Sequence, residues 1–488
     1  MEMIFVIFLI VIGIYYIYLS TQTAFLAEDE ATYFSLGKEL SNLQYPTTDS
    51  SNNAITAPLF IPLLYSALFM ILGASLILAK VITAIFGILT LIVVYLIGKK
   101  INFYVGIFSV FILLSITLFT QFMLIAYVDV PIAFFSALSV YMISRIDSKK
   151  SSILAGLVIG ISYFVKETGL FIALTLLLYS FYVYFFQKNR NQFKLYLTSS
   201  LISLLLIAIV VIRNIALFGY PYLIILNIFF TPPSSPSWIT AAEISPSIST
   251  ISDFAGIFSW IPLILGIFSI FYILSQWKKI ESKSLSFSFV LFCLFIISFV
   301  FLYSIGRAIA EARYFIVIFP QLALISGFFL WKLKENSNLF LIIIIPIILF
   351  GVYSSIFTAI GTSQSTRFPT NYINALNWLK SNTPQDSIIF TTYGGSVKYF
   401  AERNQIWSVK EFPDIMTSSD PTYIYDTLEK YNVSYILVWN GVISQDYIIP
   451  GSNIAGVFTY NFLNTISNDT EHFNTTYQNQ DDIIFQLI

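Results

Sequence analysis

Long apolar runs recur through the first three quarters of the chain and predict a bundle of membrane-spanning helices. The first run extends from Met3 to Leu19, and no basic segment of a cleaved signal peptide precedes it, so we expect a retained first helix. Ten further runs are each about long enough to cross a bilayer, some only with tilt or shortening. They fall at 82–98, 102–124, 131–146, 152–165, 168–187, 195–217, 256–275, 284–304, 314–331 and 339–358. The pattern predicts about 11 spans within residues 1–358.

One more apolar stretch, from Pro58 to Gly73, is shorter than the others and is bounded by a proline and a glycine. Counted as a span, it would place Asp29 and Asp129 on opposite faces of the membrane and would invert the basic loops. We therefore interpret residues 58–73 as a helix that lies in the interface, within a long first extracytoplasmic loop at residues 21–80.

Basic residues predict the orientation, because lysine and arginine concentrate in short loops on the cytoplasmic side of a membrane. In this chain they cluster at every second predicted connection, at 99–100, 145–150, 188–194, 278–283 and 332–334. The N-terminus is therefore predicted to be cytoplasmic, in a multi-pass protein of the plasma membrane. Everything after Phe357 is predicted to lie on the extracytoplasmic side.

Residues 359–488 differ in composition from the rest of the chain and predict a soluble domain. Asparagine, aspartate, threonine and glutamine become frequent, and long apolar runs cease. Apolar spacing predicts helices at 371–381 and 423–431, and short buried strands at 387–390 and 434–438. The predicted fold class is a polytopic α-helical membrane protein with a C-terminal extracytoplasmic α/β domain.

Overall composition supports the membrane class and excludes others. The 488 residues are 57% hydrophobic and 10% charged, and the net charge of −1 gives no electrostatic basis for nucleic-acid binding. The lone cysteine, Cys293, excludes an intramolecular disulfide, and the lone histidine, His472, argues against a histidine-based metal site. Nothing in the sequence requires a metal or cofactor, although the sequence does not exclude the use of a divalent cation.

Three consecutive carboxylates, Glu28, Asp29 and Glu30, follow the first apolar run, with Tyr33 shortly after them. They lie where the chain first leaves the bilayer, close to substrates carried on lipid. Burial near the interface and the like charge of neighbouring acids raise the proton affinity of a carboxylate, as a general base requires. The run is therefore a candidate catalytic element, with Asp129 of a later segment as a candidate partner.

Seven short motifs link this acidic run to a known superfamily. They are Asp29-Glu30-x-x-Tyr33, Thr56-Ala57-Pro58-Leu59, Lys80 before Val81-Ile82-Thr83-Ala84-Ile85-Phe86-Gly87, Tyr127-Val128-Asp129-Val130-Pro131, Lys166-Glu167-Thr168-Gly169, Arg213-Asn214 and Ala312-Arg313-Tyr314. In this order they resemble the GT-C glycosyltransferases, in the branch of protein O-mannosyltransferases and aminoarabinose lipid A transferases. The resemblance covers the membrane region up to about residue 331. Relatives often carry His or Lys before the first-loop proline, where this chain has Thr56-Ala57.

The resemblance implies an enzyme that takes a sugar from a polyprenyl (dolichyl) phosphate and passes it to a protein, lipid or glycan at the outer membrane surface. It makes Asp29 the best candidate for the general base, with Asp129 as its second-loop partner and Glu30 as a further catalytic candidate. Glu28, Tyr33 and Glu167 are additional site candidates. Neither the sugar nor the acceptor is indicated by any motif.

A phosphate leaving group needs cations, which the positive-inside bias otherwise keeps away from the outer face. Arg213 and Arg313 are the first choices because a guanidinium binds phosphate through two parallel hydrogen bonds. The other bases predicted at outer ends of spans are Lys80, Lys166 and Arg307. The alternative for these cations is pairing with Glu167 or Glu311, or extension toward lipid headgroups.

Two alternative functions remain open at the level of sequence. An oligosaccharyltransferase would carry a Trp-Trp-Asp-Tyr-Gly motif in its C-terminal domain, whereas residues 390–395 read Phe-Thr-Thr-Tyr-Gly-Gly, and Asp129 lacks a following second acid. A transporter or flippase would place ionisable groups near the midplane and show repeat symmetry. The predicted charges gather at one face instead, which favours monosaccharide transfer.

Overall fold

The computed structural model describes most of the chain. The described residues are 2–23, 28–44, 59–218, 256, 258–304, 312–336, 338–364, 368–391, 394–406, 411–439, 443–444 and 458–488.

Fourteen α-helices among the described residues precede the C-terminal domain. They are α1 (Glu2–Gln22), α2 (Glu28–Ser41), α3 (Phe60–Leu72), α4 (Leu76–Ile101), α5 (Phe103–Leu114), α6 (Thr117–Phe122), α7 (Asp129–Ile143), α8 (Lys149–Val165), α9 (Gly169–Phe185), α10 (Arg190–Phe218), α11 (Trp260–Gln276), α12 (Lys283–Ser304), α13 (Phe319–Asn336) and α14 (Asn338–Gln364). Short 3₁₀ segments at Trp277–Lys279 and Ala312–Ile318 adjoin α11 and α13.

The described region contains seven helical segments that are long and apolar enough to cross a membrane, and α3, α5, α7 and α9 are shorter apolar helices. This confirms the polytopic helical class, while the number of spans stays a prediction. Helix α14 continues to Gln364, past the predicted end of the membrane region at residue 358.

The run at 102–124 does not form one continuous helix, as the sequence predicted, but divides into α5 and α6 at Ser115 and Ile116. A break inside a membrane region exposes backbone groups that need partners. The backbone N–H of Thr117 donates to Ser259 Oγ at 3.0 Å, and the Thr117 hydroxyl lies 3.2 Å from Ser355 Oγ. Hydroxyl groups from two distant segments thus satisfy the polar atoms at the break.

Helix α3 corresponds to the predicted interfacial segment. Its 13 residues rise about 20 Å, less than the thickness of the hydrocarbon core. It packs closely on α2, since a Cβ atom added at Gly37 would lie only 2.8 Å from the Cβ of Tyr65.

The basic connections come together at one end of the bundle. Lys99 pairs with Glu2, the Lys100 ammonium donates to the carbonyl of Ser144 at 2.9 Å, and the Lys283 ammonium donates to Gln192 at 3.0 Å. Lys80 lies near the other end of α4, about 30 Å away along the helix. Basic loops and acidic motifs therefore occupy opposite ends, about one bilayer apart.

The C-terminal domain is an α/β domain, as predicted. Its strands are β1 (Ile388–Phe390), β2 (Asn404–Ile406), β3 (Val433–Trp439), β4 (Ile443–Ser444), β5 (Phe458–Thr459), β6 (Phe473–Gln478) and β7 (Asp482–Leu487), and five of them form a sheet in the order β2-β1-β3-β7-β6. Strands β2, β1 and β3 are parallel, whereas β7 is antiparallel to β3 and β6.

Helices cover both faces of this sheet. They are α15 (Thr370–Asn382), α16 (Phe412–Thr417), α17 (Pro421–Lys430) and α18 (Tyr460–Asn468), together with a short helical segment at 394–401. Tyr372 and Leu376 of α15 share an apolar cluster with Leu437, while Leu428 and Phe462 belong to a second cluster. The helices predicted at 371–381 and 423–431 correspond to α15 and α17.

Candidate functional site

Asp29 pairs with Arg313 at the end of the bundle opposite the basic loops. Asp29 is the second residue of α2, and Arg313 lies at the start of the 3₁₀ segment before α13. The Nη1 atom of Arg313 donates a hydrogen bond to Oδ2 of Asp29. The Asp29 side chain remains 43% exposed, so an external group can reach this carboxylate.

Asp129 pairs with Lys166 in a second ion pair. Asp129 is the first residue of α7, and Lys166 directly follows α8. The Lys166 ammonium donates to Oδ1 of Asp129, whose side chain is only 2% exposed. Lys166 thus takes Asp129 as a partner, which the sequence did not predict.

Aromatic rings connect the two ion pairs. The ring centre of Tyr314 lies 4.5 Å from the Lys166 ammonium and 5.8 Å from the Arg313 guanidinium, so the two cations are within about 10 Å of each other. The ring of Tyr127 lies 5.3 Å from Arg313. Neither tyrosine was predicted to be a site residue, although each lies in a motif that contains one. Tyr127 lies two positions before Asp129, and Tyr314 directly follows Arg313; this proximity to a charged site candidate was the available signal.

Tyr33 lies within electrostatic range of both carboxylates. Burial, together with the Asp29 and Asp129 carboxylates, raises the pKa of Tyr33 well above its usual value, and Arg313 offsets this only in part. The phenol therefore keeps its proton and can donate a hydrogen bond.

Glu30 and Lys80 form a third ion pair, which is fully buried. Their side chains are 0% and 1% exposed, and the Lys80 ammonium lies 3.6 Å from Oε1 of Glu30. The Lys80 ammonium also donates to the carbonyl of Thr23 at 2.9 Å, and the backbone N–H of Ala126 donates to Oε1 of Glu30 at 2.8 Å. This burial argues against the roles predicted for Glu30 in catalysis and for Lys80 in phosphate binding, because neither side chain faces an open surface.

The remaining candidates are placed less centrally or lie outside the described residues. The guanidinium of Arg213, near the end of α10, donates to Oδ1 of Asn214 at 3.1 Å. Burial raises the pKa of Glu167 to about 7, although the Lys166 charge lowers it in part. Arg307 and the side chain of Glu28 lie outside the described part of the chain. Within that part, no three His, Cys, Asp or Glu side chains come together as a metal site.

The fold is shared with solved membrane glycosyltransferases. ArnT from Cupriavidus metallidurans in the apo state superimposes with a TM-score of 0.65 at 10% sequence identity, covering 99% of this chain and 98% of that chain. The archaeal oligosaccharyltransferase AglB from Archaeoglobus fulgidus, in complex with an inhibitory peptide and a dolichol-phosphate, gives a TM-score of 0.62 at 14% identity, covering 89% of this chain and 70% of that chain. Residues 56–212 also match the family model of dolichyl-phosphate-mannose-protein mannosyltransferases. The chain therefore has the fold of solved membrane glycosyltransferases, and its residues 56–212 resemble the mannosyltransferase family.

A further solved structure and the bounds of the family match describe the similarity in more detail. ArnT bound to undecaprenyl phosphate gives a TM-score of 0.60 at 11% identity, covering 99% of this chain and 97% of that chain. At such identities the structural likeness is one of fold. The matched family segment contains Lys80, Asp129 and Lys166, whereas Asp29 and Arg313 lie outside it. Among curated protein sequences, none matches this chain significantly.

Proposed function

We propose that this protein is a GT-C glycosyltransferase that transfers a sugar from a polyprenyl phosphate to a hydroxyl group of a protein, lipid or glycan, with Asp29 as the general base. The proposal is carried by two neighbouring ion pairs, Asp29 with Arg313 and Asp129 with Lys166. The cations of both pairs lie close to the ring of Tyr314. Two solved structures of the same fold were determined with dolichol-phosphate and undecaprenyl phosphate, which supports a lipid phosphate as the donor class.

The reaction is a displacement at the anomeric carbon. The acceptor hydroxyl oxygen attacks this carbon while the bond from the carbon to the phosphate oxygen breaks. Asp29 accepts the hydroxyl proton, and the electron pair of the broken bond stays with the polyprenyl phosphate. The leaving phosphate gains negative charge, which Arg313 and Lys166 stabilise from fixed positions.

Asp29 suits the base better than Asp129 because the two carboxylates differ in access. The side chain of Asp29 is 43% exposed and that of Asp129 only 2%. An acceptor hydroxyl must come within hydrogen-bonding distance of its base, and only Asp29 offers an open approach. Asp129 then acts on Lys166, holding the ammonium where the phosphate would lie.

Glu30 and Lys80 are assigned a positioning role in this proposal. Through the N–H of Ala126, Glu30 ties the start of α2 to the segment that leads into Asp129. Lys80 ties the same carboxylate to the end of α1 through the carbonyl of Thr23. The buried pair therefore fixes the spacing between Asp29 and Asp129 without touching the substrates.

Transfer of a labelled sugar from a polyprenyl phosphate donor by the purified protein tests the proposal. Within this assay, Arg313→Lys is expected to lower kcat/KM for the donor about tenfold, since lysine keeps the charge but loses the second parallel hydrogen bond to phosphate. Lys278→Ala, a change at the opposite end of the bundle, is the control and is expected to act like the wild type. Normal donor kinetics in Arg313→Lys would move the phosphate site to Lys166 or Arg213.

The proposal also places the site on the extracytoplasmic face, and cysteine labelling tests this orientation. In a Cys293→Ser background, Lys149→Cys is expected to resist a membrane-impermeant maleimide in intact cells and to react after permeabilisation, because residue 149 belongs to a basic loop that is predicted to be cytoplasmic. Asn377→Cys, at an exposed position of the C-terminal domain, is expected to react in intact cells. Labelling of position 149 from outside would reverse the orientation.

A further inference from the structure

Helix α2, which carries Asp29 and Tyr33, lies between the membrane bundle and the C-terminal domain. Toward the bundle, Gly37 sits against Tyr65 of α3, and Glu30 accepts from Ala126. Toward the C-terminal domain, Ala31 belongs to the same apolar cluster as Tyr372 of α15. The helix that positions the proposed base is thus held by two separate parts of the protein.

An aromatic contact also attaches α2 to the C-terminal domain. The ring of Phe34 meets the ring of Tyr399 edge to face, with their centres 5.1 Å apart. Tyr399 belongs to the short helical segment at 394–401, and the ring centre of Phe34 also lies 5.4 Å from that of Phe69 of α3. Edge-to-face packing has a preferred geometry, so Phe34 fixes the rotation of α2 as well as its position.

An ion pair between Glu39 and Lys398 attaches α2 to the C-terminal domain. The Lys398 ammonium lies 2.8 Å from Oε1 of Glu39, and the two side chains are only 11% and 24% exposed. By contrast, Lys38 and Lys380 contact Glu402 at 3.7 and 3.2 Å, and all three side chains are nearly half exposed. Exposed pairs contribute little to stability, so the less exposed Glu39–Lys398 pair is expected to contribute more than the pair between Lys38 and Glu402.

A displacement at the Glu39–Lys398 pair also moves the proposed base, because helix α2 carries both Glu39 and Asp29. Glu39 and Asp29 belong to the same helix and are about 15 Å apart along its axis. Residues 31, 34 and 38 lie on one side of α2, and residues 30, 33 and 37 lie on another. The helix rotates as one body, so a rotation that breaks the contacts of the first side also displaces the residues of the second. Even a shift of about 1 Å at a reacting group lowers rates strongly.

We propose that the C-terminal domain positions the catalytic helix, with Glu39 and Lys398 as the positioning residues. Docking of the domain on α2 sets the orientation of Asp29 toward the acceptor, so sugar transfer depends on a contact outside the membrane bundle. This inference rests on the proposed function, since it assumes that Asp29 is the base.

Charge reversal of the pair tests the inference. The variants are Glu39→Lys, Lys398→Glu and the double variant that exchanges the two charges. Each is assayed in the full-length protein for kcat, for the affinity of a fluorescent polyprenyl phosphate and for hydrogen exchange of residues 28–41. Lys430→Glu is the matched control, because it reverses a charge in the same domain in a pair with Glu411 at 2.9 Å, remote from α2.

Each single reversal is expected to lower kcat on the order of 10-fold, to leave lipid phosphate affinity unchanged and to accelerate exchange in α2. The double variant is expected to restore both kcat and exchange, and the Lys430→Glu control is expected to retain the wild-type kcat. Unchanged lipid phosphate affinity in the single variants shows that they did not simply misfold.

Two results separate the failure of this inference from the failure of the proposed function. If the wild type transfers sugar and Lys398→Glu keeps a normal kcat, the positioning role is wrong while the proposed function stands. If the wild type transfers no sugar from any polyprenyl phosphate donor, the proposed function is wrong, and the inference is overturned with it.

Discussion

Asp29→Asn is expected to lower kcat for sugar transfer at least about 100-fold, the contribution of a positioned general base. The amide has nearly the volume of the carboxylate and can still accept the hydrogen bond from Arg313, but it cannot take the acceptor proton. Donor affinity and the thermal unfolding midpoint should therefore change little. Transfer kinetics, titration with a fluorescent polyprenyl phosphate and thermal unfolding measure these three quantities.

Asp147→Asn provides a matched control for this substitution. Asp147 lies in a basic loop at the opposite end of the bundle, where its carboxylate accepts from the hydroxyl of Ser151. The same chemical change there should leave kcat at the wild-type value. Wild-type turnover in Asp29→Asn would show that the base is another group, and Asp129 would be the next candidate.

Lys80→Met is expected to destabilise the protein by about 3–5 kcal/mol, because it leaves the Glu30 carboxylate buried without its cation. The double variant Glu30→Gln with Lys80→Met removes both charges and should recover most of that loss. Glutamine also keeps an oxygen that can accept from the N–H of Ala126. Chemical unfolding of the purified protein in detergent, followed by intrinsic tryptophan fluorescence, measures both changes.

Lys99→Met is the control for the buried pair. Its partner Glu2 is exposed, as is Lys99 itself, and pairs of this kind contribute little to stability. If Lys80→Met were as stable as Lys99→Met, or if the double variant recovered nothing, the buried pair would not be the contact that holds α2 to the segment before Asp129.

Apolar periodicity was sufficient to predict most helices, but not the places where they break. The division between α5 and α6 falls inside an apolar run without a proline, so no local signal marks it. Ser259 and Ser355 satisfy the polar atoms at this break, and they lie 142 or more residues away along the chain. Such a break depends on tertiary contacts that sequence periodicity does not encode. Strand β6 was not predicted, because its sequence, Phe-Asn-Thr-Thr-Tyr-Gln, is largely polar.

The candidate site was predictable in part. Resemblance to superfamily motifs made Asp29, Asp129, Lys166 and Arg313 site candidates, because each lies in one of the matching short segments. It could not say which cation meets which acid, since pairing depends on how helices approach one another. Nor could it distinguish Glu30 from its neighbours: consecutive residues of a helix point about 100° apart, so Asp29 faces the open site while Glu30 is buried.

The pairing of Asp29 with Arg313 has a consequence for the synthesis of the protein. The two residues are separated by 284 positions. At about 5–20 residues per second, the ribosome reaches Arg313 roughly 15–60 s after Asp29. During that interval the acidic start of α2 has already been made but its guanidinium partner has not. The nascent protein therefore completes this ion pair late, after most membrane helices have been synthesised, and a chain truncated before Arg313 carries the acid without the cation.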